Sequence, residues 1–214
     1  MDNNYFRINY GRKDIDLDIE SSELQLWKAD NFAENIGLFI NIQAAGKEYD
    51  TFDEDEQKLH ENYVKPKIYT EWLEIPIDYI KNKDFRTLES VSIDFKDSGE
   101  MDEIERMVWT EAPGALYVHN HGAFEKVKIE FKYLGAGIFN VKLNGAAEFD
   151  TPFEVSANIP LEIELTAYNK KATKEDILSF FSQILNPDEF NQKWRYRGDD
   201  IFFKATPKEL ENVC

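Results

Sequence analysis

The chain has 214 residues and a formal net charge of −17, from 25 Lys plus Arg against 42 Asp plus Glu, with 42% hydrophobic and 14% aromatic content. Sixteen Phe, ten Tyr and four Trp supply the apolar surface of a packed core, which excludes a disordered chain, and a single Cys, Cys214, excludes an internal disulfide framework and Cys-rich metal sites. Residues 1–5 lack the basic-then-apolar pattern of a signal peptide and no apolar run is long enough for a bilayer, so the expectation is a cytoplasmic protein.

In chain order, Phe6, Ile8 and Tyr10 alternate with polar residues, and Ile15, Leu17 and Ile19 alternate with Asp14, Asp16, Asp18 and Glu20. Side chains two apart share one face of a strand, so both segments read as half-buried strands. The stretch 53–63 reads as a helix with few apolar residues. Leu73, Ile75 and Ile77, then Val91, Ile93 and Phe95, repeat the strand period, whereas 98–109 fits either a helix or a strand. Asn120-His121-Gly122 reads as a turn before the strand of Val127, Ile129, Phe131 and Tyr133. Gly135-Ala136-Gly137 reads as a turn between strands, and Asn144-Gly145 as a type I′ hairpin turn.

The longest period-two run extends from Phe153 to Ala167 through Pro160, which keeps the phase. Proline cannot donate to a ladder, so this strand lies at an edge or bends where it crosses between sheets. Thr173 caps a helix whose apolar face is Ile177, Leu178, Phe180, Phe181, Ile184 and Leu185, with Asp176 completing a capping box. Asn186-Pro187 opens a short second helix as far as Trp194, and Thr206-Pro207 a third. The expected fold is therefore α+β and β-rich: an antiparallel sandwich or strongly bent sheet with a C-terminal helix packed on one face. The length fits one domain over 1–214. Gly37-Leu38-Phe39 and Gly137-Ile138-Phe139, with Glu48 to Thr51 and Glu148 to Thr151, echo each other 100 residues apart and raise a division near 100 into two related lobes.

The acidity is concentrated in the first half: residues 1–107 hold 26 acids and 13 bases, against 16 and 12 in residues 108–214. Such a field disfavours nucleic acid and anionic membranes and favours a basic protein. Two acidic concentrations are the candidate partner-binding residues. Asp14, Asp16, Asp18 and Glu20 project from one strand face about 6.6 Å apart; Ile19 and Gln25 stand where a calcium loop needs Gly and Glu, which argues against that motif. Asp50, Asp53, Glu54, Asp55 and Glu56 form the second group, interleaved with Tyr49 and Phe52. His119 and His121, two apart, could grip one metal with Glu111, Glu148 or Asp150, a weak motif by itself.

No nucleophile elbow or phosphate-binding loop occurs, so no catalytic residue and no cofactor is expected. Trp194-Arg195-Tyr196-Arg197 could stack on an acid or a sugar, or pack beneath the tail helix. The leading expectation is a non-enzymatic acidic protein that engages a basic partner, such as an immunity or inhibitor protein neutralising a cationic toxin. The alternatives are a β-sandwich that binds carbohydrate or another small ligand on exposed aromatics, and a metal-dependent hydrolase built on His119 and His121.

Overall fold

Alternation of apolar and polar side chains accounts for most strands of the computed structural model, which describes residues 4–30, 32, 34–53, 58–70, 73–96, 112–148, 151–169 and 171–212. The first half holds β1 (Tyr5–Tyr10), β2 (Lys13–Leu17), β3 (Ile19–Ala29), β4 (Asn35–Ala44), β5 (Lys47–Asp53), β6 (Lys58–Val64), β7 (Lys67–Thr70) and β8 (Glu74–Pro76). Short 3-10 turns at Ile77–Tyr79, Lys81–Lys83 and Phe85–Ser90 lead to β9 (Ser92–Lys96). Then come β10 (Gly114–Tyr117), β11 (His121–Gly135), β12 (Ile138–Ala147), β13 (Thr151–Ala167), helix α1 (Lys174–Ile184), β14 (Phe190–Arg197) and β15 (Asp200–Pro207). The protein is β-rich α+β: β5 and β6 form a two-stranded sheet, and the other strands form one 13-stranded sheet in which β3 and β13 run parallel. No described helix is long and apolar enough to cross a membrane.

Strand β13 organises the sheet. Its first part pairs with β12 on one side and β1 on the other; its second part pairs with β3 and β15. Because β12 leads through β11, β10, β7 and β4 to β3, the hydrogen-bonded path returns to β13. Pro160 sits where the partners change. The Asn158 N–H donates to Asn4 Oδ1 on the β1 side and the Leu161 N–H to the Gly137 carbonyl on the β12 side. By period two, the N–H that Pro160 lacks falls on the β1 side, in the gap between Tyr5, where β1 begins, and Leu24, where β3 begins to pair with β13. The ladder therefore loses no bond there, and β13 is an internal strand.

The odd residues of β13 enter a core that runs from Phe6 to Ala205 as one cluster. Helix α1 covers one face of it, as its apolar spacing predicts. Thr173 Oγ1 accepts from the Asp176 N–H and the Asp176 carboxylate accepts from the Thr173 N–H, a complete capping box. Ile177, Phe180, Phe181 and Ile184 are buried, and the Phe181 ring lies 4.9 Å from that of Phe203 on β15. Trp194 packs inward too, 4.6 Å from Phe203, with the Lys174 ammonium 4.7 Å from its ring, whereas Arg195, Tyr196 and Arg197 are exposed.

Four local expectations are corrected. Asn144-Gly145 is no turn: both residues lie inside β12, facing Lys128 and Val127 of β11. A Cβ at position 145 would stand 2.1 Å from the Lys126 carbonyl, so this glycine serves close strand approach at the β11 bulge. The β11–β12 turn is Gly135-Ala136-Gly137, all three at positive φ, as expected. In the stretch 53–63, Asp53 ends β5 and residues 58–63 lie in β6, so the described part is strand and not helix, while 54–57 lie outside the described residues. The segment after Asn186 makes one 3-10 turn, Pro187–Glu189, and then becomes strand β14, because Trp194 and Tyr196 alternate with Lys193, Arg195 and Arg197. After Pro207, the last residue of β15, the described residues form a 3-10 turn, Lys208–Asn212, in place of the expected third helix. The ambiguous stretch 98–109 lies outside the described residues.

Candidate functional site: an acidic corner

The acidic row at 14–20 does not form a single strand face. It is divided at Asp18, between β2 and β3: Asp14 and Asp16 project from β2, and Glu20 belongs to β3 next to a bulge. Register then decides which charges are free. Arg7 on β1 faces Asp16, and its Nε donates to Asp16 Oδ1 at 2.6 Å, while its Nη1 lies 3.8 Å from Glu154 on β13. The hydrogen bond from Arg7 holds the Asp16 carboxyl below the usual aspartate range. Asn9 Nδ2 donates to Asp14 Oδ1 at 2.7 Å, an uncharged partner that leaves the Asp14 charge uncompensated. Glu20 is ion-paired with Lys65 at 2.7 Å and accepts from Gln43 at 3.2 Å.

The second acidic group comes to the same corner. The Lys13 ammonium donates to the Asp50 carbonyl at 3.1 Å, and the Lys47 ammonium to the Asp16 carbonyl at 2.8 Å. The Ala45 N–H donates to the Asp18 carbonyl at 2.8 Å, fixing the β4–β5 turn against the break between β2 and β3. Asp14, Asp18, Glu48 and Asp50 are all exposed here. Asp53 ends β5, and Glu54, Asp55 and Glu56 lie outside the described residues.

Between these elements opens a cleft of about 600 Å³ lined by Tyr5, Arg7, Asp16, Asp18, Gly46 and Lys47 among others. The Tyr5 hydroxyl donates to Glu154; burial and that contact push Tyr5 up to about 12, so it is a neutral donor at physiological pH. Gly46 lies beneath Tyr63 of β6, where a Cβ would stand 1.7 Å from the tyrosine oxygen. The result is an ion-paired floor rimmed by carboxylates that have no cationic side-chain partner among the described residues. Comparison with family models, curated proteins and solved structures finds no match to this chain.

The histidines behave differently from the metal expectation. His119 is in the loop between β10 and β11, with its ring 5.6 Å from that of Tyr10, whereas His121 starts β11 with its ring 5.8 Å from that of Tyr69. Because 118–120 is a loop, the two imidazoles do not share a strand face. Both line a small cavity of about 190 Å³ that Glu148 also borders, yet no group of three His, Cys, Asp or Glu side chains able to hold a metal is found among the described residues. Glu111 and Asp150 lie outside them.

Sequence reasoning missed the basic side chains that organise the acids. Arg7 and Lys47 acquire their partners only once β1–β2 register and the β5 position are known. A second case is Arg86, whose Nη1 donates to Asp84 at 2.9 Å and Glu189 at 2.7 Å and whose Nη2 donates to Glu209. Burial opposes the charge on Arg86, but these three carboxylates outweigh it and raise its pKa. Two of these three partners, Glu189 and Glu209, stand 103 and 123 residues away, beyond any local motif.

Proposed function

We propose that the chain is a non-enzymatic acidic binding protein that engages a basic protein through the corner formed by β2, the break at Asp18 and β5. The observation that carries this reading is the convergence of Asp14, Asp18, Glu48 and Asp50, exposed and with no cationic side-chain partner among the described residues, in a chain of net charge −17. Such a field accelerates encounter with a cationic partner and sets its orientation. The exposed Tyr63 beside the cleft supplies an aromatic anchor of the kind that gives lasting affinity.

The mode of binding follows from the edge. The Asp16 carbonyl of β2 is occupied by Lys47 and the Asp18 carbonyl by Ala45, so the partner is met by side chains and not by addition of a strand. A cationic toxin bound by a cytoplasmic inhibitor is the concrete form of this reading. The partner exchange along β13 supports a sheet wrapped around the core in a sandwich-like manner, a rigid base for such a surface.

Capture from a lysate of the native organism on immobilised protein tests it, with wild type compared to the Asp14→Lys, Asp18→Lys, Asp50→Lys triple variant. A basic protein retained in stoichiometric amount by wild type, released by salt and lost from the variant is the expected outcome. Retention of the same proteins by both removes the corner from the interface.

A further inference from the structure

A second surface lies on the outer face of β3, β4, β7 and β10. The inward residues of these strands are buried: Leu24 and Leu26, Leu38, Ile40 and Ile42, Ile68, and Leu116. Their outward neighbours include four aromatics, one per strand. Trp27 on β3 faces Gly37 of β4; Phe39 on β4 lies two residues further along; Tyr69 on β7 faces Asn41; and Tyr117 on β10 faces Lys67, which itself faces Gln43. Each step from Trp27 to Tyr117 thus moves one strand across and two residues along, about 8 Å at ordinary strand spacings. The four residues make a diagonal row, within which the Tyr69 ring has the Lys67 ammonium 5.3 Å from its centroid and the His121 ring 5.8 Å away.

Three features of this row point to the chemistry of what it would hold. First, Trp27 lies across the backbone of Gly37, where a Cβ would stand 2.3 Å from Nε1, 2.5 Å from Cε2 and 2.8 Å from Cδ1. The missing side chain lets the indole lie close against the sheet. Second, polar side chains are fixed between the rings: Asn41 Nδ2 donates to Glu23 at 3.0 Å, Gln43 Nε2 donates to Glu20 at 3.2 Å, and Gln25 faces Phe39. Third, Glu23 on β3 and Glu162 and Glu164 on β13, which face Gln25 and Trp27, put negative charge on the same face, offset in part by Lys204, which is ion-paired with Glu162, and by Lys67, which faces Tyr117.

Separate rings with hydrogen-bonding groups between them do not form the continuous apolar patch on which a protein partner packs. The carboxylates repel phosphate, which disfavours a nucleic acid. A sugar residue has an apolar C–H face and a rim of hydroxyls that donate and accept. We infer that this diagonal row binds a neutral glycan chain, with successive sugar faces on Trp27, Phe39, Tyr69 and Tyr117 and hydroxyls on Gln25, Glu23 and the amides that flank them. This site is independent of the acidic corner.

Native gels cast with hydroxyethylcellulose, xylan, galactomannan or a soluble β-1,3-glucan test it, followed by tryptophan fluorescence titration with the polysaccharide that retards the protein most. The expected result is retardation by at least one, little affected by salt, with binding weakened at least about tenfold in Tyr117→Ala and in Trp27→Ala and restored in part by Trp27→Phe. Tyr117 is 45% exposed, so its variant keeps the fold even if the Trp27 variant does not, and circular dichroism checks both. Asp14→Lys, Asp18→Lys, Asp50→Lys should bind glycan as wild type does, which separates this site from the corner. Failure of all four polysaccharides to retard the wild type, or undiminished binding by a folded Tyr117→Ala variant, overturns the inference.

Discussion

Arg7 and Arg86 each draw several carboxylates to one guanidinium, yet they sit in different mechanical settings. Arg7 bridges β1 to β2 and β13, strands that its own backbone ladder already joins. Arg86 bridges the turn Phe85–Ser90 to Pro187–Glu189 and Lys208–Asn212, which flank one end of the β14–β15 ladder that the Phe85–Ser90 turn does not join, and its guanidinium carbon lies 4.5 Å from the Phe85 ring. The lesson is that an ion pair's contribution depends on what else holds its ends together. The Arg86 cluster closes the fold, whereas the Arg7 pairs leave the fold alone and set which carboxylates at the corner remain free.

The sharpest way to break this contrast is to delete each arginine. Arg86→Ala leaves Glu189 and Glu209 beside Asp84 without their cation, and should lower unfolding free energy by about 2–3 kcal/mol in urea denaturation. Arg86→Lys should recover only part of this, since an ammonium cannot match the fork that reaches three carboxylates. Equal losses for Arg86→Ala and Arg7→Ala would dissolve the distinction.

Acid titration sharpens it next. Glu209 is held below its ordinary value of 4.5 by the hydrogen bond from Tyr133 and by Arg86. A carboxyl with a depressed folded pKa contributes stability that is complete above its unfolded value and lost as the pH falls through the folded one. Wild type should therefore lose stability below about pH 4.5, and Glu209→Gln should lose less over the same interval. Parallel curves for the two proteins would show that the cluster does not titrate with folding.

Smaller effects belong to the corner. Arg7→Ala should cost far less stability than Arg86→Ala in the same denaturation, because its partners are exposed and the ladder remains. Reversing Asp14, Asp18 and Asp50 should change stability by no more than about 0.5 kcal/mol each, since all three side chains are exposed. A large loss of thermal stability in that triple variant would make the corner structural and remove its claim to recognition.

Period two made the strands around Phe6, Ile15, Ile75, Ile93, Ile129 and Val155 legible, and the Thr173 box made α1 legible, because those signals are local. Turn chemistry misled at Gly145, where the same residue type that permits a tight turn also permits a backbone to approach within 2.1 Å of an absent Cβ. Asn186-Pro187 misled because a good helix start says nothing about whether a period-two strand follows within three residues. At the site, the two acidic groups were visible but their meeting was not, since it depends on Lys13 reaching Asp50 and Lys47 reaching the Asp16 carbonyl. The diagonal of Trp27, Phe39, Tyr69 and Tyr117 was invisible for the same reason: it exists only in the register of four strands.

The central claim is that the corner's free carboxylates steer a basic partner, and its most direct test is the association rate of the captured partner with wild type and with Asp14→Lys, Asp18→Lys, Asp50→Lys across ionic strength. The account predicts a wild-type rate that falls steeply with salt and a variant rate at least about tenfold slower at low salt and nearly flat. Coincident rates and salt slopes for the two proteins would contradict it.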